Sequence, residues 1–209
     1  RIDAIESFAA DVAHELKNPL TSLASAVEMF SRARDEDSRA RLLEIVRGDI
    51  KRIDRLITDI SDASRLDAEL SREAPEPVDL PRLLSTIIEI YRMTDAAHAV
   101  TFVLRDELAP GTIVNGRAER LGQVFRNLID NAVSFSPPGG KVIVTATRRE
   151  RVVRVTVEDE GPGIPAENLE SIFERFYTER PVESFGRNSG LGLSIARQII
   201  EGAGGRIQA

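Results

Sequence analysis

One of the chain's two histidines, His14, stands where it could act as a nucleophile. Measured around its helix it lies roughly 170° from the apolar stripe, so the imidazole faces solvent and a buried structural role is disfavoured. The bland alternative is an incidental surface histidine. Its neighbours argue otherwise. Glu15 could take the proton from one ring nitrogen and leave the other nucleophilic. Asn18, one turn on and about 40° around the helix, could orient a water or a phosphoryl oxygen on the same face. Pro19 removes a backbone hydrogen bond just beyond the site and predicts a bend or weak point there.

Three further constellations could hold an anionic ligand. Asn127 and Asn131 in Asn127-Leu128-Ile129-Asp130-Asn131 fall on one flank of a helix whose buried face is Leu121, Val124, Phe125, Leu128, Ile129 and Ala132. Amide oxygens one turn apart suit Mg2+, which keeps waters and takes other ligands from nucleotide phosphates; caps or solvated edge asparagines are the bland alternative. Asp159-Glu160-Gly161-Pro162-Gly163-Ile164-Pro165 follows a strand. A carboxylate there can accept from an exocyclic amine, and the glycines admit a flat base, although an ordinary tight turn has the same letters. Asn188-Ser189-Gly190-Leu191-Gly192-Leu193-Ser194 opens the last helix, where exposed N–H groups and the positive dipole end suit phosphate. Between these two, Thr178 to Arg187 lacks apolar periodicity and reads as a lid over a ligand. No Walker-type Gly-x-x-x-x-Gly-Lys and no Ser-His-Asp hydrolase signature is present.

The elements that must carry these residues fall into two halves. Residues 1–70 show no strand alternation and read as a hairpin of two long helices broken near Ala33 to Ser38. Ile5, Phe8, Val12, Leu16, Leu20, Leu23, Val27 and Phe30 form a stripe on the first helix; Leu42, Val46, Ile50, Ile53, Ile57 and Ile60 form one on the second. Two helices cannot shield both stripes, so a homodimeric four-helix bundle is expected. Residues 71–78, polar and with two prolines, read as a linker. Residues 79–209 then mix helices (Asp79 to Ala97, Ala118 to Ser134, Ala166 to Phe173, Gly192 to Glu201) with strands. The strands are expected at Val100 to Leu104, Thr112 to Val114, Val142 to Thr147 and Val152 to Val157. This pattern predicts an antiparallel α+β sandwich with helices over one sheet.

Composition bounds the function. The 209 residues carry Lys+Arg 28 against Asp+Glu 34, a net charge of -6 that gives no footprint for nucleic acid or an anionic membrane. Cysteine is absent, which excludes disulfide frameworks and thiolate zinc sites and points to a cytosolic setting. No apolar run is long enough to span a membrane. The chain opens directly in a helical pattern without an initiator Met, so it reads as part of something longer.

Taken in order, these motifs resemble the sensor histidine kinases of two-component systems over essentially the whole chain. His14-Glu15-Leu16-Lys17-Asn18-Pro19-Leu20 resembles the phosphoacceptor box, Asn127 and Asn131 the asparagine box, and Asp159 to Gly163 the first glycine box. Ile172-Phe173-Glu174-Arg175-Phe176 resembles the phenylalanine box, and Gly190 to Gly192 the second glycine box. The lettering around Phe8 to His14 and Phe176 to Pro181 is similar to the ChvG-type envelope and acid sensors of alphaproteobacteria.

The resemblance implies a dimerisation and phosphotransfer hairpin followed by a Bergerat (GHKL) ATP-binding sandwich, C-terminally truncated here. It also implies Mg2+ and ATP as cofactors, autophosphorylation of His14, and transfer to an aspartate of a response-regulator receiver domain. Nucleotide contacts would come from Asn127, Asn131, Phe135, Asp159, Gly161, Gly163, Ile164, Arg175, Gly190, Leu191 and Gly192, with Asn127 and Asn131 on the metal. Asp159 would hold the adenine amine. Glu15 with Asn18 matches the pattern that members use to dephosphorylate the regulator. The chain would work in the cytoplasm, its full-length parent in the inner membrane.

Two positions depart from the family pattern. Ser134 stands where many members have a phosphate-contacting Lys, and Asn188 replaces the first glycine of the second box; Arg175 is one candidate for the positive charge near the γ-phosphate. Two rivals remain: a Bergerat-fold ATPase with His14 idle, and a degenerate signalling or dimerisation module. The ATPases resemble one another in carrying a water-activating Glu at position 127, where this chain has Asn.

Overall fold

In the computed structural model residues 2–70, 74–94, 100–177 and 190–209 are described, side chains within the hairpin over 9–61. Contacts divide the chain into two compact units, one of Arg1–Asp67 with Arg175–Leu191 and one of Ala68–Glu174 with Gly192–Ala209.

The first unit is built on helices α1 (Ile2–Arg32) and α2 (Glu36–Leu70). The break falls where expected because Asp35 caps α2: its carboxylate accepts from the Ser38 amide at 2.7 Å and from the Ser38 hydroxyl at 2.8 Å. Those two bonds hold the Asp35 carboxyl below the usual carboxylate range. The hairpin's inner face is not the predicted stripe: of the residues buried there only Leu42 belongs to it. Pro19 and Ala26 on α1, and Leu42 and Leu56 on α2, are buried within the hairpin. Leu20 and Val27 on α1, and Leu43, Ile50 and Ile57 on α2, stay exposed. Within each exposed set the spacing is seven residues.

The second unit starts earlier than the linker reading allowed. Glu76–Asp79 forms strand β1, because its main chain pairs antiparallel with β3 (Ile113–Gly116), Val78 opposite Val114. Proline at position 77 is tolerated in a two-stranded ladder, where each strand has an open edge. Asp79 caps α3 (Leu80–Arg92) through the Arg82 amide at 3.1 Å, with Pro81 in the first turn. The helix ends at Arg92, short of Ala97; residues 95–99 lie outside the described part.

The main sheet has the order β2 (Thr101–Asp106), β4 (Lys141–Arg149), β5 (Val152–Asp159). It is mixed rather than antiparallel: β2 runs parallel to β4, Thr101 opposite Lys141, while β4 and β5 form the expected hairpin. Between β2 and β4 the chain passes through β3 and α4 (Ala118–Phe135), a crossover that brings β4 back in the direction of β2. The turn at Pro137 to Gly140 seats β4, with Gly139 at φ 80 and Gly140 N–H on the Pro137 carbonyl at 2.9 Å.

Val142, Val144 and Ala146 alternate onto one face of β4 and meet Leu84, Ile87 and Ile88 of α3 and Leu121, Phe125 and Ile129 of α4. Helix α5 (Gly192–Gly202) packs on α4 through Ile195, Ala196 and Ile199. The helix expected at Ala166 to Phe173 is instead two 3-10 turns, Ala166–Asn168 and Ser171–Phe173. Ile129 is 0% exposed at the centre of this core, so Ile129→Ala is expected to cost about 3 kcal/mol, read as a lower midpoint in urea denaturation with an unchanged slope.

Candidate functional site

Helix α4 is the spine of the candidate site. Its apolar face is sealed in the core, which forces Asn127 and Asn131 onto the half-buried flank, as their spacing required. The Asn127 side-chain amide donates to the Gly192 carbonyl at 2.9 Å. That bond sets the orientation of the amide and leaves Oδ1 as its acceptor or ligand atom. A Cβ on Gly192 would lie 3.5 Å from Asn127 Cγ, so the start of α5 rests directly on the asparagine. Ser134 donates its hydroxyl to the Asn131 carbonyl at 2.7 Å, which makes this residue a local brace.

At the other end of α4 the first glycine box comes in close. Asp159, exposed at the end of β5, accepts from the Gly161 amide at 2.8 Å through Oδ1, leaving Oδ2 for an outside donor. A Cβ at Gly161 would fall 2.9 Å from the Phe135 carbonyl oxygen and 2.6 Å from Asp159 Oδ1. Only glycine allows that approach. Gly163 takes φ 78, which fits a tight turn through the box, and Ile164 is exposed beside it. Eight residues of helix separate Asn127 from Phe135, about 12 Å, a span suited to a ligand with a flat ring at one end and phosphates at the other.

Sequence reasoning missed the side chains that brace this spine. The Tyr91 hydroxyl donates to Asp130 of α4, and its ring meets Phe102 at 5.4 Å between centroids. Burial first, then Asp130, pushes the Tyr91 phenol above its ordinary range. The Glu160 carboxylate accepts from the Lys141 amide at 3.0 Å and ties the glycine box to β4. Arg197 of α5 lies 4.2 Å over the Phe173 ring and pairs with Glu170 at 2.9 Å, so the phenylalanine box is fastened to the helix that begins at Gly192. An arginine on the apolar side of α5, near Ile195 and Ile199, was the available signal.

The remaining predicted residues belong to the first unit. His14 and Asn18 are exposed on α1, as their angular positions required. Glu15 is not a carboxylate turned toward the imidazole: it accepts from Arg52 of α2 at 3.0 Å. Gly190 takes φ 74, its carbonyl accepts from the Phe176 amide at 2.9 Å, and Leu191 is buried. Arg175 is exposed. The lid reading at Thr178 to Arg187, and Asn188, lie outside the described residues.

Two family models match. Residues 4–69 match the His Kinase A (phospho-acceptor) domain, and residues 116–209 match the histidine kinase-, DNA gyrase B-, and HSP90-like ATPase. A solved mycobacterial sensor histidine kinase, MprB, is 32% identical with a TM-score of 0.54, covering 64% of this chain and 83% of that one. The chain belongs to the sensor histidine kinases. Sensor protein ChvG of Agrobacterium fabrum is 54% identical over 216 residues, covering 100% of this chain and 36% of that protein. The kinase ThkA, solved in complex with the response regulator protein TrrA, is 26% identical with a TM-score of 0.79, over 100% of this chain and 58% of that one.

The chain therefore pairs the two domains of a two-component sensor histidine kinase, is similar to ChvG over its whole length, and spans little more than a third of the ChvG chains. Among the described residues no helix of the kinase core is long and apolar enough to cross a membrane. Because Gly161 touches backbone that cannot yield, Gly161→Ala should destabilise the second unit by about 1–3 kcal/mol. A lower thermal midpoint with His14 variants unaffected checks this.

Proposed function

We propose that this chain is a protein-histidine kinase that binds Mg2+ and ATP, phosphorylates His14, and passes the phosphoryl group to an aspartate of a response-regulator receiver domain. The single observation that carries the reading is His14 itself: it is exposed on α1, inside the stretch that matches the phospho-acceptor model.

In this reading an unprotonated imidazole nitrogen of His14 attacks the γ-phosphorus. The N–P bond forms as the bond from that phosphorus to the β-phosphate's bridging oxygen breaks, and ADP leaves. The ring's remaining proton passes to a carboxylate or water, with Glu15 the nearest candidate in sequence. Asp159 would receive the adenine amine at Oδ2, with Gly161, Gly163 and Ile164 against the ring and Phe135 beside it. Gly190, Leu191 and Gly192 would sit at the phosphate end, and Arg175 supplies the cation in place of the missing lysine.

The donor set fits magnesium. The Asn127 amide nitrogen donates to Gly192, which leaves its oxygen as the atom that would ligate, and among the described residues no group of three or more His, Cys, Asp and Glu could cage a metal. Asn127 and Asn131 would hold an ion whose other ligands are phosphate oxygens and water. When bound, magnesium offsets charge that builds on the phosphates.

A homodimer is supported by the exposed residues that recur every seven positions: Leu20 and Val27 on one helix, Leu43, Ile50 and Ile57 on the other. A seven-residue apolar repeat is the seam of a left-handed helical bundle. We place residues 1–70 as the dimerisation and phosphotransfer domain and the ATP-binding domain after it, in the cytoplasm, on a parent held in the inner membrane.

Labelled ATP with Mg2+ should give an acid-labile, base-stable phosphoprotein that is lost in His14→Gln; label that persists in this variant, or free phosphate without phosphoprotein, rules the reading out. Ile50→Glu with Ile57→Glu should convert a dimer to a monomer in light scattering, whereas a wild-type chain already monomeric at micromolar concentration contradicts the seam.

A further inference from the structure

The hairpin buries a charge cluster beside the reactive histidine. Arg52 Nη2 lies 3.0 Å from Glu15 Oε2, and the two side chains are only 10% and 20% exposed. His14, the adjacent residue, is exposed. Consecutive helical side chains point about 100° apart, so Glu15 can reach the imidazole only by turning its flexible side chain away from α2. A Glu15 carboxylate tied inward to α2 therefore cannot at the same time meet the imidazole.

A second carboxylate competes for the same arginine. Asp49 lies three residues before Arg52 on α2, and its Oδ2 is buried without a hydrogen-bond partner. Residues three apart are neighbours on a helix surface, within the reach of an arginine side chain. A buried carboxylate oxygen left unpaired is costly, so Asp49 attracts a donor in its present surroundings. Transfer of the guanidinium from Glu15 to Asp49 exchanges one buried ion pair for another and leaves the arginine paired in both arrangements. Two chemically equivalent stations are the ingredients of a two-state element.

We propose that Arg52 is a positioning residue for phosphorylation of His14, holding Glu15 on the α2 side of the hairpin when paired with it and releasing Glu15 to the imidazole when paired with Asp49. The inference rests on the kinase reading above. It extends that reading by assigning opposite effects to two neighbouring charges on α2, since Arg52 restrains the proton acceptor and Asp49 draws the restraint away.

The test is a set of single-turnover autophosphorylation rates on the whole chain at saturating ATP. Arg52→Gln is expected to raise the maximal rate about fivefold with KM for ATP unchanged, and Arg52→Lys to stay near wild type. Asp49→Asn is expected to lower the rate by a similar factor. In a Glu15→Gln background both effects should vanish, because their target is gone. A folded Arg52→Gln at or below the wild-type rate overturns the proposal, as does a gain that persists beside Glu15→Gln. Should Arg52→Gln fail to fold, an unchanged rate in Asp49→Asn overturns it equally. The NMR shift of the Glu15 carboxyl carbon gives a readout independent of catalysis. It should move in Arg52→Gln and little in Arg52→Lys, and a shift that stays put in Arg52→Gln removes the premise. No phosphohistidine in wild type, with that shift behaving as expected, would instead be a failure of the kinase reading.

Discussion

Helix α4 has to satisfy two demands with one amphipathic pattern. Leu121, Phe125 and Ile129 must be driven into the core against β4 and α3, and the same rotation must leave Asn127 and Asn131 on the flank where a ligand can reach them. Nothing else in the second unit is free to set that rotation, because Ile129 is fully enclosed and tolerates no turn of the helix. The start of α5 is then placed by the Asn127 amide on Gly192, and the loop after β5 by the approach of Gly161 to the Phe135 carbonyl. The groups of the candidate site are thus held by backbone contacts at both ends of a single helix. Their spacing is a property of helix geometry rather than of loop conformation.

The bracing residues act on the same spine from outside. Tyr91 reaches Asp130 from α3, and Arg197 ties the phenylalanine box to α5 through both a ring face and the Glu170 carboxylate. Neither touches the positions assigned to the nucleotide. Each limits how far one element can shift against its neighbour, so the second unit resists small displacements that would separate Asp159 from the asparagines.

Much of this was readable from residue spacing. Periodicity located every described helix but the 3-10 pair, and the alternation in Val142 to Thr147 and Val152 to Val157 correctly announced a hairpin. Failures came where pairing partners are distant in sequence. The Glu76–Asp79 strand has no apolar alternation of its own and exists because Ile113–Gly116 offers it a ladder; the parallel pairing of β2 with β4 follows from the crossover, not from either strand's letters. The stripe assigned to the first hairpin helix likewise missed its inner face, and only packing shows that Pro19 and Ala26, outside that stripe, turn inward while Leu20 and Val27 turn out. Arg52 was overlooked because a charge on the inner side of α2, one turn from Leu56, resembles noise in an apolar pattern until its partner on α1 is known.

Pro19 adds a mechanical consequence. It has no amide hydrogen, so the carbonyl four residues earlier, that of Glu15, receives no helical bond from it. The turn from Glu15 to Pro19 thereby lacks one helical bond, and it begins one residue after His14. A 31-residue rod with one weakened turn concentrates applied torque at that turn, as a shaft twists at its narrowest section. Any rotation delivered along α1 is spent beside His14 rather than carried past it.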